Sequence, residues 1–134
     1  MKIVLYLSIA TLCIAVSSGR KSCHGFGRTG KRAANPDAAI ATEGWERSSG
    51  QVGTSWNDCY SHCRGFCERT TGSWRRCMSF DVKRERIDRG IFATDQTKCS
   101  CWGYSDGRPT LQSASYSRVN GGYGYEHYGP CQQI

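Results

Sequence analysis

The sequence predicts a small disulfide-rich α+β domain: one helix packed on a short antiparallel sheet, with long loops between the elements. Two spacings and one scarcity lead to it. In Trp56-Asn57-Asp58-Cys59-Tyr60-Ser61-His62-Cys63-Arg64-Gly65-Phe66-Cys67 the cysteines recur at four-residue intervals, and in Cys99-Ser100-Cys101 they stand two apart. Positions i and i+4 of a helix share a face about 6 Å apart, and positions i and i+2 of a strand share a face roughly 6.6 Å apart. A helix laid across a strand could therefore be closed by two parallel disulfides, the arrangement of a cysteine-stabilised αβ scaffold. The scarcity is of branched aliphatics. After residue 20 they are only Ile40, Val52, Val82, Ile87, Ile91, Leu111, Val119 and Ile134. So little apolar volume cannot build a large core, and crosslinks must substitute for burial.

Taken in order, the chain opens as a secretory precursor. Lys2 gives a positive start, Ile3 to Val16 is apolar but too short to span a bilayer, and Ser17, Ser18 and Gly19 supply a small-residue cleavage region. Residues 1–19 are read as a signal peptide and 20–134 as a single domain. Losing the leader removes Cys13, so nine cysteines become eight: Cys23, Cys59, Cys63, Cys67, Cys77, Cys99, Cys101 and Cys131. An even count in an exported chain argues for four disulfides. Zinc is the competing reading of clustered cysteines. It suits reducing compartments, and His24, His62 and His127 show no ligand spacing. No metal and no cofactor are expected.

Residues 20–44 carry few structure signals. Gly30-Lys31-Arg32 resembles a dibasic processing site, but cleavage there would discard Cys23 and leave an odd cysteine count, so the segment is expected to stay. Ala38 to Ala41 could form one helical turn, and Gly44 to Gly53 reads as loop. The helix then starts. Ser55 can cap it with Asp58 as partner, Trp56, Cys59, Cys63, Phe66 and Cys67 form one apolar stripe, and Gly72 is a plausible stop. Ser73 to Phe80 alternates as a strand, Asp81 to Gly90 reads as a charged turn, and a second strand runs from about Thr97 to Tyr104 with Cys99, Cys101 and Gly103 towards the helix. The tail, with tyrosines among glycines and Cys131 pinning its end, reads as an ordered but irregular loop.

The cysteine framework resembles that of the macins, small secreted antimicrobial proteins of invertebrates with a scorpion-toxin-like αβ scaffold. The match lies in Gly53-Thr54-Ser55-Trp56-Asn57-Asp58-Cys59-Tyr60-Ser61-His62-Cys63-Arg64, followed in the family's order by Cys67, Cys77, Cys99-Ser100-Cys101 and Cys131. Trp45-Glu46-Arg47-Ser48 is similar to a macin segment in which some members have cysteine where this chain has Ser48. The resemblance covers roughly residues 44–102. By analogy with that scaffold, Cys59 pairs with Cys99 and Cys63 with Cys101, although Cys63 and Cys67 have the same spacing and could take those places. The other four cysteines allow three connectivities, of which Cys23–Cys67 with Cys77–Cys131 is the expected one.

What the resemblance implies is a secreted cationic antimicrobial protein that binds, permeabilises or aggregates bacteria, with no catalysis. The formal charge of +7, or +6 once Lys2 leaves with the leader, agrees with an anionic bacterial membrane or envelope as partner. The expected membrane-binding residues are Arg64 and Arg69 on the helix, Arg75 and Arg76 on the first strand, and Lys83, Arg84, Arg86 and Arg89 in the turn. Trp74, Phe80, Trp102 and Tyr104 could give apolar contact. Trp56, on the cysteine face, is expected in the core. The alternative is a toxin-like or signalling ligand of a channel or receptor. A protease inhibitor would need a rigid exposed loop, for which Arg84 to Arg89 is the candidate. Enzyme readings are weak: there is no His-Glu-x-x-His, and nothing places Glu46 and Asp58 together as a carboxylate pair. No specific nucleic acid and no small-molecule substrate are expected, and the expected form is a monomer.

Overall fold

The structure, a computed structural model, describes residues 23–70, 76–88, 90–91, 93–114 and 122–133. Seven strands and one helix follow in order: β1 (Cys23–Arg28), β2 (Arg32–Ala33), β3 (Ala41–Ser48), α1 (Trp56–Thr70), β4 (Ser79–Ile87), β5 (Gln96–Tyr104), β6 (Leu111–Gln112) and β7 (Gly124–Gln133). Five of them form an antiparallel sheet ordered β1-β7-β4-β5-β3, and β2 pairs with β6 as a separate ribbon. The helix packs on one face of the sheet, mainly against β4 and β5. The expected leader, Gly72 and residues 73–75 lie outside the described residues.

Helix α1 forms for the reasons legible in its sequence. Its buried residues are Trp56, Cys59, Cys63, Phe66 and Cys67, the periodic stripe. The capping box closes in both directions: the Asp58 N–H donates to Ser55 Oγ at 3.1 Å, and the Ser55 N–H donates to Asp58 Oδ2 at 3.4 Å. That pairing, led by the Ser55 hydroxyl, holds the Asp58 carboxyl below its usual range.

Beneath the stripe lies a core of sulfur and rings. Phe80, Val82 and the cysteines at 59, 63, 67, 77, 99 and 101 are fully buried. Tyr128 stacks on Phe80 at 5.4 Å, Phe26 meets Phe80 edge-on at 4.8 Å, and Tyr60 lies 4.7 Å from Tyr128.

Four disulfides hold these parts: Cys23–Cys131, Cys59–Cys99, Cys63–Cys101 and Cys67–Cys77. The helix–strand clip uses Cys59 and Cys63, not Cys63 and Cys67. The other two pairs correct the expected connectivity. Strand β1 runs antiparallel beside β7, which brings Cys23 next to Cys131. Cys77, just ahead of β4, meets Cys67 near the end of α1, ten positions earlier.

Several expected loops are strands. The charged segment from Asp81 to Ile87 is the continuation of β4, the sheet's central strand, and no regular strand precedes Ser79 among residues 76–78. Alternation sends Phe80, Val82 and Arg84 towards the helix and Asp81, Lys83 and Glu85 to the outer face, so the charges need not interrupt the strand. Ala41 to Ser48 is β3, pairing with β5 along its whole length, and the Tyr/Gly-rich tail from Gly124 on is β7. The turn expected at Ala38–Ala41 falls at Pro36–Ala38.

Removing the β1–β7 crosslink by Cys23→Ser with Cys131→Ser should cost about 2–4 kcal/mol. Amide exchange should quicken in β1 and β7 while the amides of α1 and β5, still clipped, stay protected; denaturant unfolding and hydrogen–deuterium exchange measure both.

Candidate functional site

Among the described residues, the expected membrane-binding side chains do not gather on one face. Arg64 ties β1 to the helix: its Nε lies 3.1 Å from Glu68 Oε1, and its Nη2 donates to the carbonyls of Cys23 and His24 at 3.4 and 3.3 Å. Arg69 is exposed, 3.7 Å from Glu43. Arg76 is half-buried. Lys83 and Glu85 share the outer face at 3.4 Å. Arg84 is buried on the helix side, where its Nε donates to the Thr54 carbonyl and its guanidinium lies 4.3 Å from the Tyr123 ring centre. Arg86 is exposed and bonds Asp95. Phe80 is the centre of the core and cannot reach a bilayer, and Tyr104 is 2% exposed. Trp102 is half-buried and stacks on Tyr125 at 5.2 Å with 12° between the rings. Trp74, Arg75 and Arg89 lie outside the described residues. Trp56 is in the core, as expected.

Two apolar side chains that sequence reasoning passed over stand out instead. Val52 is 92% exposed and Ile91 is 91% exposed. They belong to loops at the same end of the sheet. The register aligns Ser48, Gln96 and Ile87 there, and the Ser49 N–H donates to the Asp95 carbonyl at 3.0 Å, joining the β3–α1 loop to the β4–β5 hairpin. Arg47 and Arg86 flank this end. The Arg47 guanidinium holds the first loop by donating to the Val52 carbonyl at 3.0 Å, while Arg86 braces the second through Asp95. The available signal was an apolar residue bounded by glycines: Gly50 and Gly53 around Val52, and Gly90 before Ile91, all three with positive φ.

The outer face holds a buried polar network that charge counting could not foresee. Asp81 is fully buried; Tyr104 Oη donates to its Oδ2 at 3.1 Å, and His127 Nδ1 lies 2.5 Å from its Oδ1. The Tyr125 ring covers this cluster from β7, with Arg32 of the small ribbon 5.4 Å from its centre. A second network links helix to sheet edge: Trp56 Nε1 donates to Tyr128 Oη at 3.1 Å, Tyr128 Oη donates to Glu126 at 3.0 Å, and Glu126 also accepts from Arg28 Nε at 2.9 Å and from the Gly30 N–H at 2.8 Å. The dibasic segment is thus built into the fold; Lys31 offers its carbonyl to the His127 N–H at 2.7 Å.

Glu46 and Asp58, the imagined carboxylate pair, are apart. Glu46 sits on the outer face opposite Lys98, and Asp58 caps the helix on the other side. Among the described residues, no group of three His, Cys, Asp or Glu side chains is placed to hold a metal, and no helix is long and apolar enough to cross a membrane. No family model, no characterised protein and no solved structure matches the chain.

Burial raises three phenols. Tyr128 is pushed up to about 12, and Tyr104 and Tyr125 rise further, the Asp81 carboxylate adding to the effect of burial on both. A phenol raised on folding gives its full contribution below its unfolded value near 10 and loses it as pH climbs through the folded value. Stability should therefore fall in the window from about pH 10 to 12. Absorbance at the phenolate band should show these three tyrosines ionising only with loss of the folded signal in circular dichroism.

Proposed function

We propose that the chain is a secreted cationic defence protein that docks on anionic bacterial membranes through the loop end of its sheet and perturbs them without covalent chemistry. The observation that carries this is the pair Val52 and Ile91, exposed at one end with Arg47 and Arg86 beside them. Large apolar side chains left in water at loop tips cost nothing in the fold and gain on entering a bilayer interface, and flanking arginines hold anionic head groups. Burying two such side chains yields about 3–6 kcal/mol and two arginines about 2 kcal/mol. The sum corresponds to submillimolar to micromolar binding before ordering costs. Four disulfides suit an oxidising, extracellular setting, which is also where a signal peptide at residues 1–19 would send the chain. The cysteine order supports placing it among the macins.

Vesicles rich in phosphatidylglycerol should bind the protein well above neutral phosphatidylcholine vesicles, with attraction weakening as salt rises. The double substitution Val52→Ser with Ile91→Ser should lower that binding at least about tenfold, and Arg86→Gln should lower it by a smaller factor. Co-sedimentation and dye release measure both. Equal binding to the two vesicle types, or no effect of the double substitution, would defeat the reading.

A further inference from the structure

We propose that the outer face of the sheet carries a saccharide-binding groove over β3 and β5, shaped for a neutral pyranose chain. This inference stands apart from the membrane reading, because it uses a different face and no side chain of the loop end. Register builds the groove. Thr42 faces Trp102, Gly44 faces Ser100, and Glu46 faces Lys98, and these side chains point away from the helix. At ~3.4 Å per residue, the run from residue 42 to residue 46 is about 14 Å long. The groove has a volume of about 320 Å³, near the lower bound for small-ligand sites, roughly 300–1,000 Å³.

Its chemistry is that of sugar recognition. The Trp102 indole lines it, and Tyr125 stacks on that indole from the β7 side, 5.2 Å away, which leaves the β3 side of the ring for a ligand. An aromatic face fixed in this way accepts the apolar C–H face of a pyranose. The Thr42 and Ser100 hydroxyls can each donate and accept, and the Lys98 ammonium can donate. Gly44 leaves the floor open: a Cβ there would sit 3.4 Å from the Cys99 carbonyl and 3.8 Å from Ser100 Oγ, ordinary contacts, so any larger side chain would rise into the groove.

Charge selects a neutral ligand. Lys98 lies in register between Glu46 and Glu85, and Lys83 is 3.4 Å from Glu85, so the two ammoniums and two carboxylates on this part of the face cancel. A phosphate or an acidic glycan finds no net attraction there, and a lipid chain finds a floor of glycine and serine.

The probes are the N-acetylglucosamine tetramer and cellotetraose, titrated into the 15N-labelled, oxidised mature protein. Amide shifts should concentrate at Thr42–Glu46 and Lys98–Trp102 at low-millimolar sugar. Gly44→Val fills the groove without changing charge or needing a new backbone conformation, and it should weaken binding about tenfold or more while leaving vesicle binding intact. Trp102→Ala should do the same to the sugar. Ser100→Ala, a smaller change, gives a partial loss and serves should either of the others lose its dispersed spectrum. The membrane reading is read separately, since Val52→Ser with Ile91→Ser should leave the sugar shifts in place. No shifts with either sugar, shifts confined to another face, or unchanged affinity in Gly44→Val would overturn the proposal.

Discussion

Everything in this fold depends on the twin crosslink of α1 to β5. A fifteen-residue helix is marginal alone in water, and this one carries a glycine in its middle. Hydrophobic burial cannot compensate in full, because Val82 is the one branched aliphatic among the described residues of the core cluster. The clip solves both problems. Cys59–Cys99 and Cys63–Cys101 join a helical i, i+4 pair to a strand i, i+2 pair, which fixes the rotation of the helix as well as its position. One bridge would act as a pivot; two set the direction of the helix across the strand. The sulfurs then serve as core atoms, and the aromatic rings of Phe80, Tyr128, Tyr60 and Phe26 close around them.

The clip also explains which parts of the fold were legible from sequence. Helix α1 and strand β5 were, because each announces its buried face locally: the stripe from Trp56 to Cys67, the reciprocal Ser55 and Asp58 cap, and the alternation from Cys99 to Gly103. Strand β4 was not. Lys83-Arg84-Glu85-Arg86 has the composition of a solvated turn, and it becomes a central strand only because long-range partners satisfy its charges. Asp81 is bonded by Tyr104 and His127, and Arg84 reaches the Thr54 carbonyl, while Lys83 is met within the strand by Glu85. Strand β7 likewise needs β1 and β4 on either side before its tyrosines acquire an inside. The two missed disulfides follow from that same pairing: Cys23 and Cys131 become neighbours only once β1 lies on β7. Of the site, the exposed apolar tips had a faint signal in their bounding glycines. The groove had none, since it exists only through the registry of β3 on β5.

Polar burial on this scale is expensive unless complete. Asp81, Glu126, Arg84 and His127 are all at least nine-tenths buried in a chain with little apolar core. Their contacts run between elements rather than within them: helix to β7 through Trp56 and Tyr128, β4 to β5 and β7 through Asp81, and the helix-entry loop to β4 through Arg84. Such contacts add modestly to stability. They penalise misplacement strongly, because a shifted strand would leave a buried carboxylate unpaired. Register is thereby specified in a sheet whose apolar pattern alone would specify it weakly.

The net charge acts through this architecture in an unexpected way. A run such as Lys83-Arg84-Glu85-Arg86 looks like a cationic patch on paper, yet strand geometry deals its members alternately to two faces, and carboxylates meet most of them. Among the described residues no single face gathers the positive charge expected of it, so the surplus works as a diffuse field that favours approach to an anionic surface without choosing the point of contact. Choice then falls to shape. The crosslinked sheet cannot change, whereas the loops at its end carry apolar tips held by arginines, and the open row along β3 carries a ring and hydroxyls. On the two proposals made above, a rigid frame with distinct surfaces at its end and on its outer face addresses a bilayer and a glycan independently.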